Sequence, residues 1–305
     1  MSVPPSGEQV ELVRQSPRGA QRAVVVEVGG GLRTYDVDGV PVVDGYDEAE
    51  MATAGRGQVL APWPNRLHGG RYTWDGDEHE VPIDKPAQHS ATHGLVRFRA
   101  WRATDRTTDA VTMTLRLHPS PPYPFCLDLT ARYELTDDGL VVTHSATNVG
   151  AKAAPYALGT HPYVTAGGRV DDARLTVPAA SWLPTDEHQI PTGTEPVDGT
   201  PYDFRAARAI GPLAVDHAFT DLQRGPDGRA RVLLEGERTV EVWVDEGFRW
   251  LQVFTGDAVP EPERRRRGLA VEPMTAPANA FVTGEGLLRL EPGDTTTARW
   301  GVRLR

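Results

Sequence analysis

Leu127-Asp128-Leu129-Thr130-Ala131-Arg132-Tyr133-Glu134-Leu135-Thr136-Asp137-Asp138-Gly139-Leu140-Val141-Val142 is the stretch from which the fold is read. Apolar residues at 127, 129, 131, 133 and 135 alternate with polar ones. That period places one face of an extended strand against a core and leaves the other to solvent. Asp138-Gly139 interrupts the pattern with turn residues, and an apolar run resumes at Leu140.

The same period recurs on both sides. Val111, Met113, Leu115 and Leu117 alternate with Thr112, Thr114 and Arg116. Val240, Val242 and Val244 repeat it, Trp250, Gln252 and Phe254 share one face, and Ala298, Trp300, Val302 and Leu304 follow suit. Turn signals separate these runs. Asp75-Gly76 reads as a hairpin, Asp227-Gly228 precedes Ala230–Leu234, and Gly29-Gly30-Gly31 after Ala23–Val26 reads as a hairpin turn without dinucleotide-fingerprint spacing. No stretch of twelve or more residues has helical spacing and caps; short turns between Asp203 and Ala209 are the main helical expectation. The pattern predicts an all-β sandwich or barrel. Without repeat, low-complexity tract or compositional break, one domain is expected over 21–305, after a flexible, polar N-terminal segment over 1–20.

The 305 residues are 39% hydrophobic and 24% charged, as in soluble globular proteins. A net charge of −10 argues against nucleic acid as main partner, since phosphate binding relies on a basic face, and against an anionic membrane surface. One cysteine, Cys126, leaves no internal disulfide, and its alternating surroundings predict a buried small side chain. No apolar signal core or membrane-spanning run is present, so a cytoplasmic location is expected.

Four polar residues stand out, each in a stretch rich in Pro, Gly or aromatic residues. Arg66 follows Pro62-Trp63-Pro64-Asn65, a stiff approach to an Asn65-Arg66 pair whose guanidinium fork suits vicinal hydroxyls or a carboxylate. His93 precedes Gly94, and His161 lies in Gly159-Thr160-His161-Pro162-Tyr163; either imidazole could exchange a proton with an oxygen near neutral pH. His89 could take the place of His93. Glu272 ends the apolar run Leu269-Ala270-Val271, where desolvation would make it a better base near pH 7. Asp216, in Val215-Asp216-His217-Ala218-Phe219, is a second candidate carboxylate. For each alone, an ion pair, a structural histidine or an outward strand residue is the ordinary alternative. No metal-binding spacing is seen. Arg264-Arg265-Arg266-Arg267 reads as a solvated loop, or as a cation set beside the site that selects an anionic sugar substituent.

At these residues the chain resembles the aldose 1-epimerase (galactose mutarotase) family. The resemblance rests on Asn65-Arg66 with Gly70-Arg71-Tyr72, His93-Gly94 with Trp101, Asn148 through His161-Pro162-Tyr163, Val215–Phe219, Leu251–Gly256, and Glu272 with Pro277 and Asn279. It implies a large antiparallel β-sandwich with few short helices and a site on one concave face. It further implies Glu272 as general base and His161 as general acid, with Arg66, His93, Asp216, Gln252 and Asn65 holding sugar oxygens, no metal or other cofactor, and a monomer or homodimer acting on an aldohexose. Pro273-Met274-Thr275 and Thr92-His93-Gly94-Leu95 depart from the common family pattern and are similar to a bacterial branch that includes sulfoquinovose mutarotases. The alternatives are a noncatalytic carbohydrate-binding sandwich and an epimerase of a sulfonated or phosphorylated hexose.

Overall fold

A computed structural model describes residues 3–305. The stretch 127–142 forms two strands, Leu127–Thr136 and Gly139–Asn148, paired antiparallel from Leu127↔Asn148 to Thr136↔Gly139. The inward residues are those the alternation assigns: Leu127, Leu129, Ala131, Tyr133 and Leu135 are all buried. These strands lie within a nine-stranded antiparallel sheet with Thr295–Leu304, Thr239–Val244 and Ala230–Glu235 beyond them. Leu127–Thr136, Gly139–Asn148 and Ala230–Glu235 alternate between core and solvent, whereas Thr239–Val244 is buried at all but its first residue.

A second antiparallel sheet carries Ala179–Leu183, Asp216–Leu222, Trp250–Phe254, Leu269–Met274 and Gly159–Thr160 in that order. Its central strands differ in kind: every residue of Leu269–Met274 is buried. Leu269, Val271, Leu251, Val253 and Phe219 join the main core, while Ala270, Glu272, Met274, Trp250 and Gln252 face the other way, under a cover of loops. Polar residues on a doubly covered sheet need partners, so that second face is where chemistry is to be sought.

Several expectations change here. Of the segment expected to be flexible over 1–20, residues 1–2 lie outside the described residues, and Gln9–Ser16 is a strand paired along its whole length with Gly19–Val26, in a smaller four-stranded sheet. Gly29–Gly31 does connect two paired strands, Gly19–Val26 and Leu32–Val37. Asp75-Gly76 turns the hairpin Arg71–Trp74/Asp77–Glu80. Asp227-Gly228 does form a turn before the strand Ala230–Glu235, on the crossover from the second sheet, left at Leu222, to the first. Asp203–Ala209 is not helical, and Arg208-Ala209 pairs at the edge of the first sheet. The one α-helix described is a single turn, Ala280–Thr283. Cys126 is only half buried, because the alternation buries its neighbours Phe125 and Leu127 instead. Among the described residues no helix is long and apolar enough to cross a membrane.

Candidate active site

Register on the second sheet gathers three site residues. Gln252 sits directly opposite Glu272, and Ala218 opposite Gln252, which leaves Asp216 one inward position further along the same face. The Gln252 amide donates to Asp216 Oδ1 at 2.6 Å. Two-residue periodicity therefore fixes Asp216, Gln252 and Glu272 on one face with no loop involved.

Arg66 and His93 arrive by a separate device. Arg66–His68 pairs with Ser90–Thr92 so that Arg66 faces Thr92, and His93 N–H donates to the Asn65 carbonyl at 2.7 Å. Asn65 is buried in the left-handed region (φ 53°), and its side-chain oxygen accepts from Arg66 Nη1 at 2.7 Å. Trp63, which the flanking prolines present, is buried against Phe281 at 5.4 Å between ring centroids. Gly94 is required: its φ is +68°, and a Cβ there would come within 2.0 Å of the Ala61 carbonyl oxygen.

His161 is held from both sides. Its ring stacks on Tyr163 at 5.0 Å and 14° between planes, and Arg56 lies over the far system, 4.2 Å from the Tyr163 ring centre. Arg56 is anchored by Asp44 at 2.6 Å. On the other side Gly55 closes on the imidazole; a Cβ there would lie 2.5 Å from His161 Cδ2.

These devices converge. His161 Nε2 lies 3.3 Å from Glu272 Oε1, both side chains almost wholly buried, and the His93 ring is 5.5 Å from that of His161. Asn65, Arg66, His93, His161, Asp216 and Glu272 line one cavity of about 260 Å³. Gln252 does not line it but lies behind, fixing Asp216. His89 does not line it either; it is exposed and packs edge-on to His68 at 5.5 Å. Glu272 Oε2, His161 Nδ1, His93 Nδ1 and Arg66 Nε are buried without a protein hydrogen-bond partner. Four unpaired polar atoms on residues that line one cavity favour a polar ligand there, because each is costly to leave unmet.

Burial, and then the charge of Asp216, pushes Glu272 well above the ordinary carboxylate range, with Arg66 opposing. Burial, and then Arg56, pushes His161 down to about 3. His93 is pushed well down by burial and by His161 beside it. In the closed pocket the neutral forms of Glu272 and His161 are favoured together. The contacting pair then carries one transferable proton, and moving it from carboxyl to imidazole yields the ionised pair without exchange with solvent.

Sequence reasoning did not single out Gln189, Lys85 or Arg97, which also line the cavity. Each comes from an irregular segment with no periodicity to read. The arginine run is not beside the site. Arg266 is buried and bonds Asp171 at 3.1 Å, Asp257 at 2.6 Å and the Gly211 carbonyl at 2.7 Å; Arg264 reaches the Gly45 carbonyl at 2.8 Å and Glu50 at 2.7 Å. Arg264 and Arg266 thus pin loops together, while Arg265 and Arg267 are exposed as the solvated-loop reading expects; none of the four lines the cavity, so the substrate-facing cation set is not formed.

The aldose 1-epimerase family model matches residues 12–303. The uncharacterized protein YihR of Escherichia coli is 36% identical over 290 residues, covering 94% of this chain and 90% of that protein. Human galactose mutarotase is 31% identical over a shorter span, 51% of this chain and 46% of that protein. Among solved structures, the GalM/aldose epimerase homologue of C. elegans superposes with a TM-score of 0.85 at 18% identity, covering 98% of this chain and 99% of that one. Galactose 1-epimerase of Lactobacillus acidophilus gives 0.80 at 21% identity, covering 97% and 95%. A fold shared end to end with these structures, and a family match over nearly the whole sequence, place the chain in the aldose 1-epimerase family of isomerases.

Proposed function

We propose that the chain interconverts the α and β anomers of an aldohexopyranose, with Glu272 as base toward the C1 hydroxyl and His161 as acid toward the ring oxygen. The carrying observation is the 3.3 Å approach of His161 Nε2 to Glu272 Oε1 inside a cavity that Arg66, His93 and Asp216 also line. Glu272 takes the O1 proton as C1=O1 forms. The C1–O5 electron pair goes to O5, which receives the His161 proton. The open aldehyde rotates about C1–C2, and closure by the same groups in reverse gives the other anomer. The pair begins ionised and ends neutral, and it is the neutral state that burial favours, so ring opening discharges a strained ionisation. Arg66 and Asp216 offer a donor and an acceptor for sugar hydroxyls, and Asn65 orients Arg66.

A finer reading concerns the sugar. Lys85 and Arg97 line the same cavity as Arg66, which favours an anionic substituent on the hexose. Arg97 is also paired with Asp84. The test is one-dimensional exchange NMR or polarimetry on fresh single anomers of glucose, galactose, a hexose 6-phosphate and a hexose 6-sulfonate. Acceleration of at least one over the buffer rate is expected. Binding without acceleration of any would leave a noncatalytic sugar-binding protein and overturn the proposal; a preference for neutral hexoses would overturn the anionic reading alone.

A further inference from the structure

Arg66 and Asp216 are opposite charges on one small cavity, yet they do not pair with each other. Gln189 stands between them. Its amide nitrogen donates to Asp216 Oδ2 at 2.7 Å, and its amide oxygen accepts from Arg66 Nη2. Gln189 belongs to the loop after the strand Ala179–Leu183, far from both in sequence, and this loop is built to deliver it. Asp186 Oδ1 accepts from the backbone N–H groups of His188 and Ile190, each at 2.9 Å, and Thr185 bridges to Pro191. Gln189 itself sits in the left-handed region at φ 60°, the cost of turning its side chain inward.

An amide carries no charge and has separate acceptor and donor ends, so it can meet a guanidinium and a carboxylate at once at any pH. Without it, a partly desolvated Arg66 and Asp216 could close on each other, since attraction between unlike charges strengthens as water is excluded. A collapsed pair would turn its hydrogen-bonding atoms inward, and sugar hydroxyls would first have to part it. Gln252 restrains only the other oxygen of Asp216, and Asn65 only the other nitrogen of Arg66, so neither prevents the collapse.

We infer that Gln189 is a positioning residue for the sugar-binding pair: it spaces Arg66 from Asp216 so that each can meet a hydroxyl of the substrate. This rests on the epimerase reading of the same cavity. Its signature is in substrate affinity, because the proton-transfer pair Glu272–His161 is not bonded to it.

The experiment compares wild type, Gln189→Ala and Gln189→Glu, using the aldohexose turned over fastest in the anomer panel. KM and kcat are read by exchange NMR from pH 4 to 8, with Kd by calorimetry and Tm alongside. In Gln189→Ala, KM and Kd should rise by about tenfold or more while kcat stays within about twofold, as expected when hydrogen bonds to charged groups are lost from binding alone. In Gln189→Glu the protonated carboxyl keeps both bonds, one accepted and one donated. Affinity should therefore be near wild type at the acid end and fall as pH rises and the introduced carboxyl ionises against Asp216. A merely structural loop residue has no reason to give that added pH limb. Unchanged KM and Kd in both variants at every pH would overturn the inference, as would equal losses of kcat, affinity and Tm with no pH limb in Gln189→Glu. Wild type that binds the sugar without interconverting its anomers would instead sink the epimerase reading and leave the Kd comparison to decide the role of Gln189.

Discussion

Two buried histidines, one within a strand of the first sheet and one between the short strands Gly159–Thr160 and Tyr163–Val164 of the second, separate what burial does from what neighbours do. His144 lies in the main sheet, and its Nε2 accepts from the Trp300 indole at 3.2 Å. Burial by itself pushes it down to about 3. His161 is brought down to about 3 as well, by burial and then Arg56, but it stands 3.3 Å from Glu272 with a second histidine beside it. Only His161 has a partner displaced in the opposite direction, so only there can a proton change hands inside the protein. Two groups whose environments push their proton affinities apart from normal, in contact, are the mark of an acid–base site; a lone depressed histidine is a packing feature.

Removing one side of the pair is the strongest way to break this contrast. Glu272→Gln should lower anomer interconversion by about 10²–10⁴-fold or more with sugar affinity largely kept, and His161→Asn should do the same. The equivalent change at His144 should leave kcat near wild type and act on stability instead, by about 1–3 kcal/mol, as the Trp300 indole loses its buried acceptor. Turnover is read by exchange NMR and stability by urea unfolding. A His144 variant as inactive as the His161 variant would erase the distinction.

Gly55→Ala sharpens the comparison at the ring itself. The new methyl meets the imidazole of His161, and the φ of +73° strains any side chain there. Displacing the ring by a fraction of an ångström or more should lower kcat by about 10²-fold, measured on the same anomers.

The remaining expectations concern the pH dependence of stability. A free histidine titrates near 6.5, and each of the two is held at about 3 when folded. The unfolded chain therefore takes up their protons first, and stability from their neutral burial is complete above pH 6.5 and lost progressively as pH falls toward 3. Glu272 has the opposite sign. Its affinity for protons is raised on folding, so the favourable contribution is present below the unfolded value of 4.5 and is lost as pH rises through the folded one. Glu272→Gln should accordingly be more stable than wild type at pH 7 and indistinguishable from it near pH 4, in thermal melts across that range. A variant less stable at pH 7 would mean that Glu272 is held for structure.

Much of this was legible in the sequence, and the reason differs by region. Alternation exposes the strands because a sheet face is a two-residue period, and it even placed Trp250, Gln252 and Phe254 together on one face. It did not tell that this face is covered by loops rather than by the other sheet. Gln189, Lys85 and Arg97 were missed because loop residues carry no period, and Gln189 gives no sign of itself beyond the turn that delivers it. Within the arginine run the sequence does not set Arg266 apart from its exposed neighbours Arg265 and Arg267, because charge in sequence says nothing about counter-ions in space: Asp171 and Asp257 neutralise Arg266, and neither is adjacent to it in the chain. Gln9–Ser16 was misread because prolines at 4, 5 and 17 flank a strand whose alternation is short.

The central claim is that Glu272 and His161 work as one proton-sharing unit, and a double-mutant cycle measures it. Interconversion of a fresh single anomer is followed by exchange NMR in wild type, Glu272→Gln, His161→Asn and the double variant. If the two act as a unit, the double variant falls little further than the worse single one. Losses that multiply, or near-normal turnover in either single variant, would contradict the account.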